Sequence, residues 1–217
     1  MTVKSFIENR VLETKIFFVI FYAVGIAGLL LPFSFPLFVR LVPLALLLSF
    51  TGLAIFHPDK TEKKPLLIFL AVFIMGYVVE AIGVNTGLIF GEYKYGDSLG
   101  PKIYFTPVII GLNWLFLVYT TASVFEKVKI HPLLKIIFAS SLMLVYDLVL
   151  EQLAPVIDMW YWIDDIVPLK NYLAWFVIAL IFHALLKVAR IQIQNKLAAL
   201  ILICQFLFFL ILYFFLR

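Results

Sequence analysis

Residues 65–90 have the sequence PLLIFLAVFIMGYVVEAIGVNTGLIF, in which Glu80 is the only charged side chain. A helix that crosses the hydrocarbon core of a bilayer needs about 20 predominantly apolar residues. The run therefore predicts a transmembrane helix. Pro65 lies where this helix begins, at a position where the missing backbone N–H is not needed. An ionisable group inside such a helix is energetically unfavourable and is by default a functional hypothesis.

Six further segments have the same apolar character. The chain has 217 residues, of which 65% are hydrophobic and 14% are charged, whereas soluble domains contain about 25% charged residues. We therefore expect an all-α fold, a polytopic transmembrane bundle of about seven helices that forms a single integral membrane domain over residues 1–217. The predicted spans are 16–31, 35–56, 66–90, 105–125, 133–153, 172–188 and 197–216.

The basic residues predict the orientation of this bundle. Twelve of the 17 Lys and Arg residues lie at one set of helix ends, and five lie at the other. Cytoplasmic loops carry an excess of Lys and Arg, so the N-terminus is expected in the cytoplasm of a multi-pass protein of the cytoplasmic membrane. The twelve are Lys4, Arg10, Lys15, Lys60, Lys63, Lys64, Lys127, Lys129, Lys135, Lys187, Arg190 and Lys196.

Several function classes do not fit the sequence. The net charge of +4 is explained by loop residues that set orientation, so no nucleic-acid partner is predicted. The single cysteine, Cys204, provides neither a disulfide framework nor a thiolate metal site. His57, His131 and His183 each lack a second ligand at metal-binding spacing, so no metal site is expected.

Three carboxylates fall within or near the end of predicted spans. Glu80 lies fifteen residues beyond Pro65, which is about 22 Å along a helix. Asp147 lies equally far beyond Pro132, on a helix that runs in the same direction. Both acids are therefore expected in the outer half of the membrane. Glu151 follows Asp147 by four residues on the same helix face, so the two should resist double ionisation and one would stay protonated.

Polar and aromatic residues converge on the same end of the predicted bundle. The stretch EAIGVNTG at 80–87 contains two glycines and is expected to unwind, which is tolerated at this depth only where backbone is buried or lines a cavity. The outer loops 90–107 and 154–175 are rich in aromatic and acidic residues. Each feature alone has a structural explanation, as an interfacial aromatic belt or an asparagine cap. Together they place polar groups and large aromatic faces in one region.

Several motifs together carry a resemblance to a known family. They are EAIGVNTG (80–87) and FGEYKY (90–95), Pro107 with Asn113 and Trp114, Asp147 with Glu151, and WYW (160–162) and NYLAW (171–175). At these residues the sequence resembles the CruF family of carotenoid hydratases. The resemblance covers about residues 70–185 and is most specific at its start.

The resemblance implies a cofactor-independent carotenoid 1,2-hydratase. Such an enzyme adds water across the terminal double bond of an acyclic ψ-end and forms a tertiary alcohol. Related archaeal members act on bacterioruberin precursors. The implied partners are a lipid-dissolved carotenoid substrate, membrane lipids and other enzymes of carotenoid biosynthesis.

The residue types fit this chemistry. A protonated carboxylic acid in an apolar cavity can protonate an alkene, and aromatic faces stabilise the resulting cation. We predict that Asp147 or Glu80 donates the proton and that the other acid, or Glu151, handles the water. The predicted water- and substrate-binding residues are Asn85, Tyr93, Tyr95, Asn113, Trp114, Asn171 and Trp175.

Three alternatives remain open at the level of sequence. A carotenoid cyclase or isomerase would use the same protonation, but an internal alkene would quench the cation. A proton-coupled transporter would use the carboxylates as a relay and would show inverted repeats with broken helices in matching positions. In a non-catalytic scaffold the acids would only bond Asn113, a tyrosine or a backbone group.

Overall fold

The computed structural model describes residues 10–58 and 62–217, and over these ranges the chain forms a helical bundle. Six of its helices are long and apolar enough to cross a membrane, which confirms the predicted all-α polytopic fold. Lys4 and Lys60, which contributed to the predicted orientation, lie outside the described residues. The helices are α1 Val11–Leu30, α2 Phe35–Arg40, α3 Val42–Ile55, α4 Lys63–Thr86, α5 Ile109–Glu126, α6 Pro132–Leu153, α7 Leu169–Val188 and α8 Ala198–Leu216.

The second predicted span, 35–56, is split into α2 and α3, so the expectation of one continuous helix there is wrong. Pro43 lies in the first turn of α3. A proline at that point has no N–H and its ring clashes with the carbonyl four residues earlier, so a straight helix cannot pass through it.

The 14-residue α3 still connects the two ends of the bundle. Its start lies beside Leu99 of an outer loop, and near its other end the carbonyl of Leu53 accepts a hydrogen bond of 2.8 Å from Asn195.

The glycine-containing end of α4 does not unwind, contrary to the sequence prediction. The helix continues to Thr86 and ends at Gly87, whose φ of 65° is the left-handed conformation that often terminates helices. Gly83 has a packing role, because a Cβ there would collide with the ring of Phe90. The ring of Phe90 thus packs against an uninterrupted helix.

Four short strands join the outer loops. β1 Tyr93–Tyr95 pairs antiparallel with β4 Trp160–Trp162, and β2 Lys102–Ile103 pairs with β3 Thr106–Pro107. The second pair occupies the residues where a helix was predicted to begin at 105, and α5 instead begins at Ile109. The β1–β4 ladder lies over the outer ends of α4 and α6, because each of its strands follows one of these helices in the chain.

The helices are also linked by buried polar contacts. The Tyr22 hydroxyl donates to Gln205 Oε1 at 3.0 Å, and Gln205 Nε2 donates to the Tyr146 hydroxyl at 2.7 Å. These bonds connect α1, α8 and α6. On α7, His183 contacts Thr121 Oγ1 at 2.9 Å and Ser140 Oγ at 3.1 Å. Interhelical hydrogen bonds of this kind stabilise bundles where no water is available to polar groups.

Candidate active site

Glu80 is buried on α4 and is surrounded by three hydrogen-bond donors. Its Oε2 accepts hydrogen bonds from the hydroxyls of Tyr93 at 2.6 Å and Tyr95 at 2.7 Å. Its Oε1 accepts one from Trp114 Nε1 at 3.0 Å. A carboxylate offers about four lone-pair positions and can accept all three at once. The two tyrosines come from β1 and the tryptophan from α5, so three elements determine the position of this acid.

Glu151 has a second set of three donors at the outer end of α6. Its Oε2 accepts hydrogen bonds from Trp160 Nε1 at 2.9 Å and Trp162 Nε1 at 2.8 Å. Its Oε1 accepts one from Asn171 Nδ2 at 3.1 Å. The two indoles belong to β4, where residues alternate between faces, so the first and third side chains of the strand both point inward.

Asp147 lies one turn before Glu151 and is bound differently. The same Asn171 amide donates to Asp147 Oδ2 at 3.3 Å, so one side chain bridges both acids. Asp147 is 0% exposed, and its Oδ1 has no hydrogen-bond partner among the residues that the structure describes. Buried polar oxygens nearly always have a partner. Because Asp147 Oδ1 has no hydrogen-bond partner in the described part of the chain, it can carry a proton or contact a reacting group.

Two tryptophans form an aromatic wall beside Glu80. Trp114 and Trp175 stack with ring centroids 4.1 Å apart and planes 23° apart. Gly76 on α4 makes room for this pair, because a Cβ at that position would lie 2.6 Å from Trp114 Cβ. The stack connects α5 to α7 and keeps the Trp114 indole N–H directed at the carboxylate.

Burial keeps the two tyrosine donors of the β1–β4 ladder protonated. Burial, followed by the nearby Glu80 carboxylate, raises the pKa of Tyr93 and of Tyr95 above the usual tyrosine range. Both phenols therefore remain hydrogen-bond donors at any physiological pH. On the outer face of the ladder, the Tyr161 hydroxyl donates to Asp158 Oδ1 at 2.8 Å, and this bond raises the pKa of Tyr161.

Two neighbouring cavities meet at this site. The smaller, of about 20 Å³, is lined by Glu80, Glu151, Asn171 and aromatic side chains of the ladder. One water molecule needs about 10–15 Å³ of such space. The larger, of about 160 Å³, is almost entirely apolar and lies between α1, α3, α5 and α6. Ile110 and Asn113 line both cavities and mark their junction.

The structure brings most of the predicted site residues together. Asn113 lies at the junction of the cavities, and the others that converge are Glu80, Tyr93, Tyr95, Trp114, Asp147, Glu151, Asn171 and Trp175. Asn85 does not join them, so its predicted role at the site is corrected. Its exposed side chain donates to the carbonyls of Ala81 at 2.7 Å and Tyr104 at 2.9 Å, and it anchors the β2–β3 segment to α4.

Trp160 and Trp162 were not predicted as site residues, although their stretch contributed to the resemblance. Their signal in the sequence is the alternation Trp-Tyr-Trp, which in a strand places two indoles on one face. What the sequence does not reveal is the strand's partner. β1 lies 67 residues earlier in the chain, from Tyr93 to Trp160. Only the packing of both α4 and α6 against α5 brings the two loops together.

Comparison with known proteins places the chain in a family. Residues 41–216 match a family described as carotenoid biosynthesis protein. Over 127 residues the chain is 25% identical to a bisanhydrobacterioruberin hydratase of Haloarcula japonica, a match that covers 52% of this chain and 42% of that protein. The match thus spans less than half the length of that relative. No solved structure matches the chain significantly.

The family match covers most of the chain and includes every acid, tyrosine and tryptophan of the site described above. The predicted resemblance to carotenoid-modifying membrane proteins is therefore confirmed. The chain belongs to the carotenoid biosynthesis protein family.

Proposed function

We propose that this protein is a carotenoid 1,2-hydratase, which adds water to the terminal double bond of an acyclic carotenoid. One observation carries the proposal. Two buried acids from different helices, Glu80 and Glu151, line a water-sized cavity, and this cavity adjoins an apolar one at Ile110 and Asn113. Asp147 is linked to Glu151 through the amide of Asn171. Hydration of an alkene needs this combination, because a proton donor, a water molecule and an apolar chain have to meet at one place.

The proton comes from the Asp147–Glu151 pair. Two carboxyl groups that share one amide in apolar surroundings do not readily ionise together, so one proton remains on the pair. Asp147 Oδ1 is available to carry it, since no described residue occupies that oxygen. Of the two acids only Glu151 lines the small cavity, so the shared proton passes from Asp147 to Glu151 before Glu151 donates it to the reacting carbon. The proton is added to carbon 2 of the substrate, and the positive charge develops on the tertiary carbon 1.

The water is held by Glu80. Its three donors hold it as a hydrogen-bond acceptor, and one of its remaining lone pairs can orient a water molecule in the small cavity. The water oxygen bonds to carbon 1 while Glu80 takes the proton that the water loses. The product is a tertiary alcohol, and the cycle closes when that proton returns to the acid pair. Asp147 or Glu80 was predicted as the donor; in this proposal Asp147 holds the proton and Glu151 delivers it.

The cationic intermediate forms beside aromatic faces. Trp175 lines the small cavity and stacks on Trp114. A cation within about 6 Å of an indole face is stabilised by about 0.5–2 kcal/mol. This stabilisation acts on the transition state and not on the neutral alkene, so it accelerates the reaction.

Expression in a lycopene-producing bacterium tests the proposal. Wild-type protein should yield a product heavier by one water, and growth in ¹⁸O-labelled water should place the label in its hydroxyl group. Asp147→Asn and Glu151→Gln should abolish this product, whereas Glu126→Gln, at the opposite end of α5, should not. If no hydrated product forms from lycopene, from a monocyclic carotenoid or from a C50 acyclic carotenoid, the hydratase proposal is wrong.

The same experiment separates the rival functions. In ordinary water a cyclase or isomerase would give a product of unchanged mass. In heavy water that product would carry deuterium, and in ¹⁸O-labelled water it would carry no oxygen label. A transporter or a scaffold would leave the pigment unchanged. A transporter would have broken helices in matching positions of its two halves, whereas α4 is helical through Thr86.

A further inference from the structure

We propose that the larger cavity binds the terminal isoprenoid units of a membrane-dissolved polyene, which enters from the bilayer between α1 and α3. This inference rests on the proposed function and adds the access route. It also assigns Asn113 as the residue that positions the reacting end of the chain. The observations that carry it are the lining of the cavity, its size, its opening and its contact with the acid site.

The lining suits a hydrocarbon. Of the polar side chains on its wall, Tyr22 and Gln205 are hydrogen bonded to each other, and Tyr146 accepts a hydrogen bond from Gln205. These polar groups are therefore satisfied within the protein. The remaining wall is formed mainly by aliphatic and phenylalanine side chains. A cavity of this composition excludes water and binds apolar ligands.

The size of the cavity defines how much of the ligand it holds. An apolar cavity of about 150 Å³ accommodates a molecule the size of benzene, and this one measures about 160 Å³. It therefore takes one end of a polyene, about one or two isoprenoid units, and not a whole carotenoid. The rest of the chain has to lie outside the protein, in the lipid, so the cavity has to open sideways.

The split between α2 and α3 provides such an opening. Leu41, which separates these helices, lines the cavity together with Leu44 on α3 and Val24 on α1. Val24 is 53% exposed and Leu44 is 49% exposed, so both lie at the boundary between cavity and lipid. Because α2 is only six residues long, the bundle has no full-length helix wall at this level.

Asn113 lies where the apolar cavity meets the acid site. It lines both cavities, and its amide forms no hydrogen bond with any residue in the ranges 10–58 and 62–217 that the structure describes. Its neighbour Trp114, in contrast, is bound to Glu80. A half-buried amide at this junction is suited to bind the water or the newly formed hydroxyl group at the end of the chain.

Ala45 and Ala54 offer a matched test on one helix. Ala45 lines the cavity, whereas Ala54, nine residues later and half a turn round the helix, is exposed and lies off the cavity wall. We would purify Ala45→Phe and Ala54→Phe in the Asp147→Asn background and titrate each with lycopene in nanodiscs, following the quenching of tryptophan fluorescence. Ala45→Phe should weaken binding about tenfold or more, and Ala54→Phe should leave it unchanged.

A second pair of variants keeps the test decisive if Ala45→Phe does not fold. Val24→Trp narrows the opening from an exposed position, and Val19→Trp makes the same change elsewhere on α1. Only Val24→Trp should slow the conversion of a long polyene, and it should slow a short acyclic isoprenoid alkene much less. If Val24→Trp and Val19→Trp changed the rate of lycopene conversion equally, the proposed access route would be wrong.

Failure of the inference and failure of the proposed function give different results. If lycopene binding depends on Ala45 but no hydrated product ever forms, the cavity assignment stands and the hydratase proposal falls. If hydration occurs and neither Ala45→Phe nor Val24→Trp affects binding or turnover, the polyene reaches the acids by another route. Asn113→Ala should lower turnover with little change in lycopene binding, whereas loss of binding in that variant would contradict its positioning role.

Discussion

Tyr93 lies opposite Trp162 in the β1–β4 ladder, with ring centroids 5.2 Å apart, and the two side chains donate hydrogen bonds to different acids. Tyr93 donates to Glu80 on α4, and Trp162 donates to Glu151 on α6. A single pair of strands thus positions two acids that belong to separate helices. Disturbing the ladder should therefore affect proton donation and water binding together, and several variants test this.

Loss of the indole donors should impair the acid pair. We expect Trp160→Phe and Trp162→Phe each to lower the rate of hydration about 10- to 100-fold, because a hydrogen bond to a charged group is worth about 1.5–3 kcal/mol. Tyr161→Phe is the matched control from the same strand, and its hydroxyl donates to Asp158 on the outer face. Initial rates in isolated membranes, measured by chromatography of the pigments, test this. Equal losses in all three variants would indicate a general effect on the fold.

Loss of the tyrosine donors should change the products and not only the rate. In Tyr93→Phe and Tyr95→Phe, Glu80 loses one donor each and orients the water less well. The cation should then lose a proton more often than it captures water. In heavy water we expect a larger share of deuterated, unhydrated alkene, most of all in Glu80→Gln. Tyr104→Phe, at an exposed position, is the control. An unchanged product ratio would argue against Glu80 as the water-binding acid.

A larger side chain at position 76 should displace the stacked Trp114 and Trp175 and so disrupt the site. A Cβ in Gly76→Ala would lie 2.6 Å from Trp114 Cβ, so the indole has to move and its bond to Glu80 is lost. We expect hydration to fall at least tenfold. Gly52→Ala is a matched control, because its Cβ would lie 2.6 Å from the ring of Phe18, which belongs to α1 and not to the acid site. Both variants should lose thermal stability, measured by unfolding in detergent, but only Gly76→Ala should lose most of its activity.

The end of the ladder should be sensitive to a single methyl group. A Cβ in Gly96→Ala would collide with Asp158, including its carbonyl, beside the bond from Gly96 N to Met159 O. We expect the ladder to loosen, protease cleavage of the outer loops to accelerate and hydration to fall. Lys94→Ala, on the exposed face of β1, should behave like wild type in both assays. A Gly96→Ala protein with wild-type cleavage and activity would show that the ladder does not hold the site.

Much of the architecture could be predicted from local sequence. Apolar runs such as 65–90 determine membrane helices by their length and composition, because the backbone of a segment in lipid has to satisfy its own hydrogen bonds. The positions of Glu80 and Asp147 along their helices followed from the same rule. Local sequence was misleading at the glycines of α4, because glycine fits both an unwound segment and a tightly packed helix end. The glycines at 83 and 87 indicated an unwound segment, yet Gly83 provides space for Phe90 and Gly87 terminates the helix.

The sequence by itself determined that this is a helical membrane protein with buried acids at one end, because these properties depend on the composition and spacing of neighbouring residues. Only the tertiary structure decided how the acids are bound. Four of the six donors to Glu80 and Glu151 come from two strands more than 60 residues apart, and the pairing of these strands depends on how α4 and α6 each pack against α5. The tertiary structure also placed Asn85 away from the acids and brought Trp160 and Trp162 to them. Which side chains line a common cavity depends on contacts between distant segments.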